Sequence, residues 1–147
     1  MAPIVSIIEI NRSAKAVFEC VTDPSRFSEW QKDVVSGQMK DPGPPRVGSR
    51  FTTTRQIGRS KRTTTQEITE IDPPRSWAVR GIDGPVRASA KVRVEPLEGN
   101  EKSRLTVELD FEGHGIGKML VPLVVRRQVE KISPKSYKNL KELLENR

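Results

Sequence analysis

The last quarter of the chain constrains the fold most, because it is the one long segment with a helical pattern. Within residues 113–147, apolar residues recur at helical spacing in two runs, first Ile116, Leu120, Leu123 and Val124, then Leu140, Leu143 and Leu144. Almost everything before this segment has the pattern of β-strands. Because a single long helix after a run of strands usually closes one face of a curved sheet, the sequence predicts an α+β fold.

Two short helices interrupt the strands near the start of the chain. Ser13 is a suitable N-cap for a helix over Ala14–Val21, and Pro24 begins a second helix that ends at Glu29. The remaining segments favour about seven strands, separated by Pro, Gly and Asp turns. The predicted strands are Ile4–Ile10, Lys32–Lys40, Ser49–Ile57, Lys61–Ile71, Ser76–Ile82, Val86–Val94 and Leu105–Phe111.

Two of these strand regions have little to bury. Val86–Val94 alternates valine and alanine on one face with Arg, Ser and Lys on the other, which indicates an antiparallel sheet covered on one side. In the hairpin over residues 49–71, Thr52–Thr54 lie opposite Thr63–Thr65. Threonine favours strands, so the hairpin is credible. We expect it to face water or a cavity with hydroxyl groups in its wall.

The composition bounds the class of protein. The 147 residues form one domain over 1–147, and no apolar run is long enough to cross a bilayer. The single cysteine, Cys20, excludes an intrachain disulfide and Cys-rich zinc sites, and with a single histidine a metal site is not expected. The N-terminal residues lack a signal peptide pattern, which predicts a cytoplasmic protein. No cofactor is expected.

Three segments resemble the polyketide cyclase/dehydrase group of the START-like (SRPBCC) superfamily. Residues 17–30, VFECVTDPSRFSEW, resemble its helix–helix segment, and residues 67–81, EITEIDPPRSWAVRG, resemble a strand, an Asp-Pro-Pro turn and the next strand. Residues 111–145 resemble its last strand, glycine turn and terminal helix. The resemblance implies a helix-grip fold, with a curved antiparallel sheet wrapped on the C-terminal helix and the ligand held between them.

Large side chains are the candidates for the wall of such a cavity. The predicted ligand-binding residues are Trp30, Phe51, Trp77, Phe111, Met119, Leu123 and Arg127. The aromatic residues are equally suited to an ordinary core, because a hydrophobic pocket and a core use the same residue types. Met119 and Leu123 share this ambiguity.

Candidates for catalysis are few. His114 lies between Gly113 and Gly115, and it is a candidate general base because imidazole is the side chain best suited to that role near neutral pH. Tyr137 is the other candidate for handling protons. The alternative, a loop residue before a helix, is favoured for His114 because no partner at a fixed spacing supports catalysis. Catalytic residues are therefore left unassigned.

The C-terminal helix has two apolar stripes on nearly opposite sides. The first stripe contains Ile116, Leu120, Leu123 and Val124, and Arg127 lies among them. Arg127 could either bind an anionic group of a ligand or extend toward water from the end of the stripe. The second consists of Val121, Val125, Val129 and Ile132, and continues toward Leu140. Either stripe can face the sheet, and the other allows a homodimer contact. Pro134 predicts a kink or break near residues 131–134.

Three functions follow from these patterns. The first is binding of a hydrophobic or amphipathic small molecule, such as a lipid or polyketide-like compound. The second is a cyclase, dehydratase or hydrolase reaction in the same cavity. The third is a basic interaction module for RNA, the ribosome or an anionic membrane, since the net charge is +7 and residues 43–66 contain six basic and no acidic side chains. The alternative for this basic segment is a solvated surface.

Overall fold

The computed structural model describes residues 3–116, 118 and 124–146. Within these residues, seven strands, three α-helices and two 3₁₀ turns are present, and the strands and helices follow one another in the predicted order. The strands are β1 (Ile4–Ile10), β2 (Val34–Met39), β3 (Arg50–Ile57), β4 (Ser60–Asp72), β5 (Ser76–Gly81), β6 (Val86–Leu97) and β7 (Lys102–Gly113). The helices are α1 (Ala14–Val21), α2 (Phe27–Trp30) and α3 (Arg126–Glu145), with 3₁₀ turns at Pro24–Arg26 and Glu98–Asn100.

All seven strands form one antiparallel sheet in the order β1-β7-β6-β5-β4-β3-β2. Along β6, Val92 and Val94 are buried whereas Lys91 and Arg93 are exposed, so one face of the sheet is packed and the other is solvated. We call these the inner and outer faces. The predicted curved sheet, the two short helices after β1 and the long C-terminal helix are confirmed as a helix-grip architecture.

Helix α1 begins and ends where the sequence predicts. The Ser13 side chain accepts a hydrogen bond from the Ala16 N–H at 3.2 Å and so caps the first turn. The second predicted helix is a 3₁₀ turn followed by α2, with Asp23 as its cap and Pro24 in its first turn. Together these elements cover one end of the inner face, where the buried core residues are Ile10, Val17, Phe18, Cys20, Val21, Val94, Leu105, Leu140 and Leu144.

Helix α3 packs its second apolar stripe toward the sheet. Leu140 and Leu144 are buried and Val129 and Ile132 are half-buried, which continues the stripe of Val125. On the first stripe, Ile116 and Val124 are 69% and 48% exposed. The structure therefore decides between the two stripes wherever it describes them.

Of the kink or break predicted near Pro134, the break is wrong, because α3 continues from Arg126 to Glu145 with Pro134 inside it. Proline removes the hydrogen bond to the carbonyl of Glu130. Both Pro134 and Glu130 are exposed. The unpaired carbonyl is therefore on the solvent side of the helix, where water can satisfy it.

The threonine hairpin divides its side chains between the two faces. Thr53 is buried on the inner face, whereas the hydroxyls of Thr54 and Thr63 lie 2.7 Å apart on the outer face. The outer threonines therefore face water, as one of the two predicted environments requires, and Thr53 is buried. Among the residues that the structure describes, no helix is long and apolar enough to cross a membrane.

Candidate functional site

An aromatic cluster occupies the middle of the inner face, beneath helix α3. It consists of Phe27, Trp30, Phe51, Trp77 and Tyr137, from α2, two strands and α3. Phe51 and Trp77 stack with ring centroids 5.9 Å apart, and Trp30 lies 6.1 Å from Tyr137. Phe27 contacts Phe51 and both tryptophans edge-on, at 6.0–6.4 Å. Such geometries stabilise a core beyond the apolar area that they bury.

The two tryptophans contribute mainly to packing. Trp30 and Trp77 are both buried, and neither indole N–H has a hydrogen-bond partner. Each indole ring lies edge-to-face against Phe27, at interplanar angles of 81° and 75°. The cluster is thus a packed floor, with each of the two indoles held against the same phenyl ring.

Beyond this cluster, toward the β3–β4 and β5–β6 turns, the inner face carries smaller and more polar side chains. We call this region the upper half, and its residues are Thr53, Thr64, Gln66, Gly81, Ala88, Ala90, Leu109 and Phe111. All of them except Thr53 are only half-buried. The upper half is therefore the less filled part of the space over the inner face.

Hydrogen bonds fix the polar part of the upper half. The Thr53 hydroxyl donates to Gln66 Oε1 at 3.0 Å, and Gln66 Nε2 donates to the Thr64 hydroxyl at 2.7 Å. On β5 and β6, Gly81 lies so close to β6 that a Cβ there would be 3.2 Å from the Ala88 backbone nitrogen. One side of the upper half therefore offers hydroxyl and amide groups, and the other offers apolar surface.

Tyr137 is the titratable group closest to the centre of the inner face. Burial raises the pKa of the Tyr137 phenol to about 12, while a hydrogen bond with Ser6 and the charge of Arg55 oppose the shift. The phenol is therefore neutral at physiological pH. In that state it retains an O–H that can donate a hydrogen bond.

Arg55 reaches this region from β3. Its guanidinium donates to Asp33 Oδ1 and to Gln31 Oε1, each at 2.9 Å. The side chain is 37% exposed, so the ion pair with Asp33 lies at the edge of the interior. This charge-assisted pair holds Arg55 in a fixed direction near Tyr137.

His114 lies apart from this group, on the outer face. Its Nε2 is 3.1 Å from Glu112 Oε1, and its backbone N–H donates to the Pro85 carbonyl at 2.8 Å. It lines an open pocket of about 680 Å³ whose other charged side chains are Arg50, Glu67, Arg80, Arg87, Asp110 and Glu112. The structure therefore does not bring the two catalytic candidates, His114 and Tyr137, together.

The remaining predicted ligand-binding residues have different environments. Trp30, Phe51 and Trp77 are buried in the aromatic cluster, and Phe111 is half-buried in the upper half. Arg127 is exposed on α3 beside Val124, which favours an orientation toward water over one into the interior. Met119 and Leu123 lie outside the described residues.

Sequence reasoning overlooked several inner-face residues. Ser6 is on the same face of β1 as Ile4, Ile8 and Ile10, so the period of two residues alone places its side chain on the inner face. Phe27 was not singled out, although it contacts three other rings of the cluster. The partners of Arg55, which are 22 and 24 residues away in sequence, carried no local signal.

Metal and thiol chemistry find no support in the described part of the chain. No three His, Cys, Asp or Glu side chains there converge on a position that could hold a metal ion. Cys20 is buried on α1, among the core residues at the opposite end of the inner face from the upper half.

Solved structures with this fold come from several organisms. The chain is similar to a protein from Thermus thermophilus, at 18% identity and a TM-score of 0.77, with 97% of this chain and 96% of that one covered. It is similar to the Zhui aromatase/cyclase of a Streptomyces species, at 17% identity, a TM-score of 0.70, and 96% and 94% coverage.

A third similar structure is the di-domain ARO/CYC protein BexL, at 16% identity and a TM-score of 0.74. The match covers 97% of this chain but 46% of BexL, so the chain spans about half the length of that protein. None of the curated proteins compared with this sequence matches it. At these identities the structural likeness establishes the fold alone.

The family relationship rests on the sequence itself. The model of the family described as polyketide cyclase/dehydrase and lipid transport matches residues 1–145, nearly the whole chain. The resemblance carried by residues 17–30, 67–81 and 111–145 is thereby confirmed. This protein belongs to the polyketide cyclase/dehydrase and lipid transport family.

Proposed function

We propose that the protein binds a hydrophobic or amphipathic small molecule, of lipid or polyketide-like character, over the upper half of the inner face. The observation that carries this proposal is the division of the inner face. The aromatic cluster is packed, whereas the small side chains of the upper half, such as Ala88 and Gly81, are only half-buried. Small side chains on a concave face leave room for a ligand.

The chemistry of the upper half fits a ligand that has both apolar and polar parts. Ala88, Ala90 and Leu109 offer apolar surface, and the half-buried Thr64 and Gln66 offer hydrogen-bonding groups on the opposite side. The floor below is aromatic. A flat or flexible apolar skeleton with a few oxygen atoms would satisfy all three surfaces.

Native mass spectrometry of freshly purified protein tests this proposal. We expect a fraction of the protein to carry one small molecule, which denaturing extraction releases for identification. Protein that carries no molecule is then titrated with N-phenyl-1-naphthylamine, a neutral hydrophobic fluorophore, and we expect saturable uptake at one site. A ligand-free protein that takes up no fluorophore would refute the proposal.

A reaction in the same cavity is the second candidate function. It is favoured by the position of Tyr137, whose neutral phenol is hydrogen-bonded to Ser6 beside the fixed charge of Arg55. A donor of this kind can polarise a carbonyl oxygen of a bound ligand during cyclisation or dehydration. Once a bound molecule is identified, the variant Tyr137→Phe separates the two functions. If Tyr137 is catalytic, the variant should lose turnover, while its dissociation constant for the molecule stays within about threefold of the wild-type value.

A further inference from the structure

The β3–β4 hairpin ends in a surface without acidic side chains. We call it the basic tip. It consists of residues near the turn at Gly58, most of them on the outer face, and they are Thr54, Gln56, Arg59, Lys61, Arg62 and Thr63. The tip extends from the end of the sheet opposite to the Asp72–Ser76 turn.

Charges nearer the base of the hairpin are neutralised. Arg50 lies 3.9 Å from Glu67, and Arg55 lies 2.9 Å from Asp33. These two arginines therefore contribute little to binding an external anion, although they belong to the same run of basic residues in the sequence.

At the basic tip, by contrast, the charges have no acidic partner. Arg59, Lys61 and Arg62 are exposed, and no carboxylate of the described chain lies within 4.0 Å of their charged groups. Two acidic residues beside the hairpin are engaged elsewhere. The Asp33 carboxylate pairs with Arg55, and the Asp83 carboxylate, in the turn between β5 and β6, accepts a hydrogen bond from the Thr65 N–H at 2.8 Å. Lys61 is on the outer face, Arg59 lies in the turn, and Arg62 is on the inner face opposite Arg55. At the end of the hairpin these three charges surround the tip and form a local concentration of positive charge for a polyanion.

The neutral side chains of the tip indicate which polyanion it fits. The hydroxyls of Thr54 and Thr63 lie across from each other, and Gln56 is the next outer-face residue of β3. Hydroxyl, amide, ammonium and guanidinium groups are the groups with which proteins contact phosphate and sugar in nucleic acids. No aromatic or large aliphatic side chain occupies the outer-face positions of the tip, so it lacks the apolar anchor of a membrane-surface or protein interface.

We propose that the basic tip binds the phosphodiester backbone of a nucleic-acid duplex. Without aromatic side chains for stacking on unpaired bases, binding is independent of sequence and does not require single strands. DNA and RNA duplexes share this backbone chemistry. Most of the binding free energy is then electrostatic and falls as salt concentration rises.

Fluorescence anisotropy of labelled DNA and RNA duplexes of about 20 base pairs tests this proposal with the full chain, between 50 and 200 mM NaCl. We compare the wild type with the triple variant Arg59→Gln/Lys61→Gln/Arg62→Gln. The variant should bind at least about 10-fold more weakly at 50 mM salt. Its slope of log K against log salt should be smaller by about 2.7, since each phosphate contact contributes about 0.9.

A matched control removes three other exposed charges, with Lys15→Gln/Lys91→Gln/Arg93→Gln. Both variants have the same net charge, and circular dichroism confirms that each is folded. We expect the control to bind within about twofold of the wild type. An equal loss in both variants, no duplex binding at 50 mM salt, or tighter binding to phosphatidylserine vesicles than to duplex would each overturn the proposal.

Discussion

The ring of Tyr137 lies 6.1 Å from that of Trp30, at an interplanar angle of 31°. This contact joins α3 to α2 over the centre of the sheet. A second link lies beside it, where the Lys32 N–H donates to the Ser136 hydroxyl at 3.2 Å. The two contacts fix the helix over the aromatic cluster.

The burial of Tyr137 predicts an unusual titration. Tyr137 is the only tyrosine, so absorbance at 295 nm reports its ionisation alone. In the folded protein we expect tyrosinate to form with a pKa of about 12, against 10 in the denatured protein. A transition near pH 10 in folded protein would show that the phenol is accessible to water.

The same shift predicts how stability depends on pH. Below pH 10 the phenol is protonated in both states, and its contribution to the free energy of unfolding is constant. Between pH 10 and 12 only the unfolded chain releases the proton, so this contribution is progressively lost as pH rises. Urea denaturation of the wild type and of Tyr137→Phe at several pH values isolates the contribution of the phenol. The free energy of unfolding of the variant should lack the decrease between pH 10 and 12.

Phe27 should contribute more to stability than Phe111. Phe27 is buried and contacts three other aromatic rings, so Phe27→Ala should lower the free energy of unfolding by about 3–5 kcal/mol. Phe111→Ala removes the same atoms from a half-buried position, so it should lower the free energy of unfolding by only about 1–2 kcal/mol. Equal losses in urea denaturation would mean that the aromatic cluster is not the packed centre.

Gly37 should not tolerate a side chain. A Cβ at this position of β2 would overlap the backbone carbonyl of Pro24, which cannot move without displacing the 3₁₀ turn. We expect Gly37→Ala to cost about 3 kcal/mol in thermal or urea denaturation. Ser36→Ala, at the exposed neighbouring residue, is the control and should change stability by less than about 0.5 kcal/mol. A similar change in the free energy of unfolding for both variants would contradict the close approach of β2 to Pro24.

Much of the architecture could be predicted from local patterns. The alternation along Val86–Val94 gave the correct inner face, and Ser13 gave the correct start of α1. Strand ends were less accurate, since β6 extends to Leu97 and β7 begins at Lys102. Their ends are determined by cross-strand pairing, such as Leu97 with Lys102, and not by the residues' own preferences.

The site was harder to predict because it depends on contacts between distant residues. The helix is apolar on nearly opposite sides, so its sequence could not tell which stripe, Val129 or Val124, faces the sheet. Similarly, the six basic residues of 43–66 look alike in sequence. Only the fold shows that Arg55 is paired with Asp33 whereas Arg59 is exposed.

The most direct test of ligand binding over the upper half of the inner face compares two neighbouring residues of β6. Ala88 faces the upper half, and Ser89 faces the outer pocket that contains His114. Each variant is titrated with N-phenyl-1-naphthylamine. Ala88→Leu should bind the fluorophore at least about 10-fold more weakly than the wild type, a loss of about 1.4 kcal/mol in binding free energy. Ser89→Leu should bind it as tightly as the wild type. Weaker binding by Ser89→Leu, with Ala88→Leu unchanged, would place the ligand on the outer face and contradict this account.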